Sequence, residues 1–324
     1  MELTWSGGTG AQSFLVEVGS SAGASDVARM EAPASPFRWP GVPVGNFYVR
    51  VKGRNPAGEG PSSTDVLVGS VDPRDVIDAL FMGQGRLAVS VNQGCPAGGG
   101  RMGGWPSGSR ILLIVAQAVP ASKFSAAVTT ANQFTEATLG MVAVAGVIQT
   151  DDPDPLPHDE EITIAEKSDE ETQAYCRVAF PVGGCASSIR DSLGRTRRVR
   201  IVMSRTGSGD AGVVHELGHA LGLCHVVAAA GFTPTPTMGI NPDGTFTSVP
   251  GRLGRFDPAT LKAEETVWGA GLRPGTSREG FVRAGLIPAE PSGLGPVGAE
   301  AEPGEIIALE DGRVMVIRPF CRRD

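Results

Sequence analysis

The chain lacks several features that would announce a function at once. None of its apolar runs approaches the roughly 18–20 residues that would span a bilayer; the longest, Arg110–Ala116, fits one buried strand. Beyond the short run Arg195–Arg200 there is no block of Lys or Arg, and the net charge is −7, which argues against a nucleic-acid partner. The first residues, Met1-Glu-Leu-Thr-Trp5, show no basic segment followed by an apolar one, so no signal peptide is visible. Five cysteines (Cys95, Cys176, Cys185, Cys224 and Cys321) are too few for a disulfide scaffold, leave at least one unpaired and do not fix the redox compartment. Histidine occurs only four times. No internal repeat is evident.

What remains is the composition of a globular protein, with 41% hydrophobic and 19% charged residues, and at 324 residues the chain is long enough for two domains. The 45 glycines and 25 prolines predict many turns and short strands. Residues 1–70 read as all-β. Leu3-Thr-Trp5 and Phe14–Val18 are strands separated by a Gly-rich turn, Phe47–Gly53 alternates with period two, and Asn55–Pro61 is a turn cluster. On Leu3-Thr-Trp5, Phe14–Gly19, Gly45–Val51 and Asn55 with Gly58, Pro61 and Ser62, the segment resembles the fibronectin type III family. That resemblance implies a β-sandwich serving as a spacer or as a module for a surface or matrix partner. It also implies a first strand ahead of Leu3, so the chain is expected to begin inside a domain.

Gly69–Pro73 is the expected boundary, followed by a short helical stretch, Arg74–Met82. Gly94–Gly108 reads as a loop, Arg110–Ala116 as a strand, and Met141–Ile148 as another. Between those strands Phe124, Ala127, Val128, Ala131 and Phe134 form the apolar stripe of a helix over Lys123–Thr138. Asp151–Glu161 is an acidic, Pro-rich loop, and Ile162–Ala165 and Arg198–Ser204 are strand-like. Cys176 and Cys185 flank Arg177–Gly184 and could close a short hairpin. Asp257-Pro258 starts a helix, with Asp as N-cap and Pro at the first helical position, running to about Trp268. Residues 288–304 read as a linker and Glu305–Arg318 as a small hairpin turning at Asp311-Gly312. The expected domains are therefore 1–70, 76–287 and 288–324.

Chemistry concentrates in Val213-Val-His-Glu-Leu-Gly-His-Ala-Leu-Gly-Leu-Cys-His-Val226. Positions i and i+4 share one helix face, so His215 and His219 can present imidazole nitrogens to one ion. Glu216 is offset around the helix and can reach a water in the fourth coordination position. Gly222 ends the helix, since glycine takes a left-handed conformation without steric cost, and the returning chain brings His225 to the same ion. Three neutral imidazoles around one zinc, an open position and a carboxylate base suit hydrolysis of a peptide bond. HExxH alone arises by chance; the extended HExxHxxGxxH is far more demanding.

With that motif matched in full, the chain resembles the metzincin clan and, within it, the matrixin-like members, over roughly residues 76–270. The resemblance implies an α+β catalytic domain with a mixed twisted sheet, one catalytic zinc on His215, His219 and His225, and Glu216 as general base. It makes Met238, in Thr235-Pro-Thr-Met238-Gly239, the methionine turn that floors the metal. The order Arg110–Ala116, Lys123–Thr138, Met141–Ile148 agrees with the family's N-terminal subdomain, and Asp257–Gly269 with its last helix. Two departures stand out: Val226 follows the third histidine where many members have an acidic residue or Ser, and no Tyr follows Met238. Oxyanion stabilisation would then rest on the metal and backbone N–H groups. In this clan an edge strand ahead of the metal helix binds substrate by adding it to the sheet; either Ile162–Ala165 or Arg198–Ser204 could be that strand.

Weaker signals have plainer readings. His158 in Asp151–Glu161 could help bind a second zinc or a structural calcium, but the spacing matches no recognised loop, so a solvated acidic loop is expected. Asp210 is expected to cap the metal helix. Cys95 lacks the surroundings of an inhibitory thiolate, and Cys224 reads as a disulfide or buried thiol. Together these observations predict a zinc endopeptidase acting on protein or peptide substrates, without a membrane span, and the two resemblances imply a secreted or cell-surface location. The rivals are a non-catalytic adhesion or binding protein with a structural zinc site, and a zinc hydrolase acting on a non-peptide amide.

Overall fold

A computed structural model describes residues 2–39, 45–70, 72–85, 87–88, 100–178, 182–207, 209–227, 237–240, 254–289, 305–308 and 314–317. It divides into two compact units that meet in sequence at Asp72 and Pro73. No helix among the described residues is long and apolar enough to cross a membrane.

Among its described residues the first unit holds seven strands: β1 (Glu2–Leu3), β2 (Ser13–Gly19), β3 (Ala28–Ala32), β4 (Phe37–Arg38), β5 (Gly45–Asn55), β6 (Gly58–Ser62) and β7 (Val66–Ser70). β1 and β4 pair antiparallel; the others form a sheet ordered β3-β2-β5-β6, with β7 also on β5. Period-two alternation decides the faces. Val16 and Val18 lie opposite Val51 and Val49 and enter a core with Ala32, Trp39 and Phe47. Glu17, between them, turns the other way and is nearly covered by Arg29, Arg50 and Lys52. The hydrogen bond from Arg50 holds its carboxyl below the usual range.

In the second unit a short helix, α1 (Pro73–Ile77), continues into a π-helical turn, Asp78–Met82. Then come β8 (Arg110–Ala116), α2 (Ala121–Ala137), β9 (Ala143–Thr150), β10 (Glu161–Lys167), α3 (Asp169–Cys176), β11 (Gly184–Arg190), β12 (Thr196–Ser204) and α4 (Asp210–Ala220). The tiny strands β13 (Val226–Val227) and β14 (Gly239–Ile240), helices α5 (Pro258–Gly269) and α6 (Arg278–Arg283), and strands β15 (Glu305–Ala308) and β16 (Val314–Ile317) complete it. One sheet runs β15-β16-β11-β12-β10-β8-β9. β9, β8, β10 and β12 are parallel, and β11 is antiparallel to β12. Ile111, Leu113, Val115, Ile162, Ile164, Val199, Ile201 and Met203 from these strands are buried, as a largely parallel sheet demands.

Several expectations shift. The buried face of α2 is Lys123, Ala126, Ala127, Thr130, Ala131 and Phe134, so Phe124 and Val128 are only half-buried. The rotation brings Lys123 into a buried ion pair with Glu166 at the end of β10, where losing one partner would cost about 3–5 kcal/mol. Cys176 and Cys185 are disulfide-bonded, but they join the end of α3 to β11 rather than closing a hairpin. Strands β10 and β12, which contain Ile162–Ala165 and Arg198–Ser204, are both interior; the strand flanking the parallel block is β11. The turn expected at Asp311-Gly312 and the residues 290–304 lie outside the described residues.

Asp257 caps α5 as expected, accepting from the N–H groups of Ala259 and Thr260, with Pro258 at the first position. Farther along this helix Glu264 is 1% exposed and accepts from Trp268 Nε1 at 2.8 Å. Burial raises its pKa from 4.5 to about 8. Folding therefore favours the protonated carboxyl. The stability it contributes is complete below about pH 4.5 and drains away as pH rises to about 8, at up to about 1.4 kcal/mol per pH unit. Glu264→Gln keeps the acceptor for Trp268 and cannot ionise, so its unfolding temperature should rise relative to the parent between pH 5 and pH 8. A difference that does not change with pH would show Glu264 to be ionised in the fold.

Candidate metal centre

Helix α4 carries the motif and is buried from Val213 to Ala220. Its N-cap is Gly209, without a side-chain cap; Asp210 sits instead in the first turn, where its carboxylate faces the positive end of the helix dipole. The helix stops in a Schellman turn: Gly222 N–H donates to His219 O at 3.0 Å and Leu223 N–H to Gly218 O at 2.9 Å. Gly222 has φ +109°, and a Cβ there would stand 2.7 Å from the Gly104 backbone. Handedness and close approach both require glycine at this position. Trp105 Nε1 donates to Ala220 O at 2.9 Å, closing another carbonyl at the helix end.

The turn sends the chain back over α4, and His225 meets His215 and His219. Their Nε2 atoms form a triangle with all three edges 3.2 Å. The three rings are 1%, 2% and 4% exposed, so water contributes little to holding them together. His215 Nδ1 lies 2.9 Å from Thr237 O and His219 Nδ1 lies 2.7 Å from Leu223 O. Carbonyls only accept, so both Nδ1 atoms donate and both Nε2 atoms present lone pairs to the centre of the triangle. Lone pairs that converge out of water repel one another unless a cation sits among them. The spacing fits a divalent transition metal, because three nitrogens roughly 2.0–2.1 Å from a tetrahedral ion stand about 3.3–3.4 Å apart.

Glu216 is 3% exposed, and its Oε2 is buried with no hydrogen-bond partner. Burial pushes its carboxyl well above the ordinary range, the opposite of what a cation beside it would do. Met238 is fully buried beneath the helix: a Cβ on Gly218 would stand 2.2 Å from its Sδ, so the glycine between the two helical histidines leaves room for the thioether. Val226 N–H donates to Met238 O at 3.0 Å, and β13 pairs with β14 in parallel, which anchors His225 just ahead of it.

Neither a scan against protein-family models nor a search of curated proteins finds a match for this chain. Among the described residues the three histidines are the one group of three or more His, Cys, Asp or Glu side chains able to share an ion. The acidic loop offers less: Asp154 pairs with Arg200 and Lys167, Asp159 with Arg197, and His158 is exposed beside Glu161. Cys224 is disulfide-bonded, and Cys95 lies outside the described residues.

His215, Glu216, His219, Gly222, His225 and Met238 gather around one turn of α4 and the chain that returns over it, whereas no local pattern in the sequence marks Trp105, Leu223, Thr237 or the second role of Asp257. Asp257 accepts from Thr237 N–H at 2.7 Å while its own N–H donates to Thr237 Oγ1 at 3.1 Å. The N-cap of α5 thus clamps the residue whose carbonyl orients His215. Asp257→Ala should weaken divalent-metal binding about 10–100-fold, as loss of outer-shell support does. Ser168→Ala, which removes the capping box of α3, should leave it unchanged in the same metal-competition titration. Equal losses in the two variants would reduce Asp257 to a helix cap.

Proposed function

We propose that this chain is a zinc-dependent endopeptidase in which His215, His219 and His225 hold the metal through Nε2 and Glu216 is the general base. The observation that carries the reading is the orphaned, buried carboxylate oxygen of Glu216, one residue from a convergent three-imidazole set. A structural metal site closed by its ligands has no use for such a group. When bound, zinc supplies Lewis acidity, lowering the pKa of a water to about 7 and polarising a carbonyl. Glu216 takes the water's proton on its carboxylate and delivers it to the leaving amine. His215 and His219 keep Nε2 unprotonated because Thr237 O and Leu223 O claim their Nδ1 protons.

The strand–helix–strand order ahead of α4, the left-handed Gly222 and the thioether of Met238 under Gly218 support a metzincin-like, matrixin-like catalytic unit. The Cys176–Cys185 disulfide and the disulfide-bonded state of Cys224 support a secreted or cell-surface location, since structural disulfides persist in oxidising compartments. Seven strands in two sheets support a fibronectin type III-like first unit, acting as a spacer or as the module for a surface or matrix partner.

Zinc content and cleavage of labelled casein and a mixed peptide library test the proposal. Glu216→Gln should keep one zinc per chain and lose about 10²–10⁴-fold in cleavage rate. His225→Ala should lose both zinc and activity. One zinc bound equally well by His225→Ala would rule out the three-histidine set; an unmodified protein that binds zinc but cleaves nothing would point to a binding protein with a structural metal.

A further inference from the structure

Strand β16 lies on the outer edge of β11, with Ser187, Ser188, Ile189 and Arg190 opposite Ile317, Val316, Met315 and Val314, and β15 pairs in turn with β16. β11 packs against α4. Its Gly184 end pairs with Met203, near where β12 leads into the start of α4. Its Arg190 end pairs with Thr196, whose N–H donates to Gly104 O at 2.7 Å, and Gly104 touches Leu221 and Gly222 at the far end of α4. Ser187–Arg190 therefore flanks the half of α4 that carries His215 and His219. The sheet's other flank, β9, lies at the opposite end.

An extended peptide approaching the three histidines along this side would find its backbone partners on the outer edge of β11, as strand addition requires. Each N–H and C=O on that edge makes one ladder bond, so a peptide and β16 exclude each other. Among the described residues β16 pairs over Ser187–Arg190, whereas the β11–β12 ladder runs the full length of β11. The hairpin can thus leave without dismantling the sheet behind it. We infer that the C-terminal hairpin β15–β16 is a built-in competitor for an extended peptide on the edge of β11, and that substrate gains this edge when the hairpin vacates it. The consequence for cleavage rests on the peptidase reading; the competition for the edge does not.

The test uses the full chain and its Met315→Pro/Val316→Pro variant, since proline removes ladder N–H groups and is excluded from paired strands. Hydrogen exchange at Ser187–Arg190 should quicken at least tenfold in the variant while the amides of β12 and α4 keep their protection, which also shows that the body is folded. A fluorescein-labelled peptide with the sequence of residues 312–318 should bind the variant at least tenfold more tightly than the parent. Casein cleavage should rise several-fold in kcat/KM and fall again when that peptide is added. Unchanged exchange at Ser187–Arg190, or equal peptide binding by the two proteins, overturns the inference whatever the cleavage rates. Selective peptide binding by the variant with no cleavage by either protein upholds the competition and sinks the peptidase reading alone.

Discussion

Three imidazole nitrogens held 3.2 Å apart inside a protein impose the constraint on which the rest of the second unit depends. Their positions must be enforced by groups that have no alternative. Thr237 O and Leu223 O fix the tautomers and orientation of two rings, and the Schellman turn at Gly222 fixes the path by which the third arrives. Each support is itself supported: Thr237 by the cap of α5, Leu223 by Gly218 O, and Gly222 by the close backbone approach of Gly104. The site is preorganised from backbone and helix ends more than from other side chains.

The same economy recurs in the surrounding core. α4 follows β12 directly and lies on β11 and β12, so the position of the histidines is tied to buried strands of the sheet. Buried charge is admitted where it joins elements: Lys123 with Glu166 links α2 to β10, and Asp78 with Arg278, at 2.9 Å, links the π-helical turn to α6. Glu264 is one exception. It sits beside a tryptophan N–H rather than a cation, and burial keeps its proton on. Glu216 is likewise buried with no cation beside it among the described residues, and its Oε2 has no hydrogen-bond partner.

Much of this was legible in residue order, but unevenly. Arg110–Ala116 is a strand with the expected ends because an unbroken apolar run of that length admits little else. α2 was placed correctly along the chain but misjudged by a fraction of a turn, since periodicity ranks Lys123 as solvent-facing and cannot see Glu166 waiting in the core. α3 carried a signal that went unread: Ser168 and Glu171 form a capping box, announced by their spacing. β11 carried almost none. Gly184-Cys-Ala-Ser-Ser-Ile-Arg190 neither alternates nor runs apolar, yet nearly all of it is buried, because α3, α4 and the neighbouring strands cover it. Its small residues suit a crowded position that no local pattern reveals.

The sequence by itself determined the chemistry of the centre: which side chains could ligate, that two lay one helical turn apart, that a glycine would turn the chain back, and that a methionine followed. Those are short-range facts, set by helix geometry and by the conformational freedom of glycine. Tertiary structure alone decided that Thr237 and Asp257 lock His215, that Gly104 leaves no room for a side chain at Gly222, and that β11 rather than β10 or β12 borders the parallel strands. These depend on contacts between segments far apart in the chain. Whether a strand has a free edge, or a carbonyl finds an imidazole, is fixed only when the sheet and helices have packed.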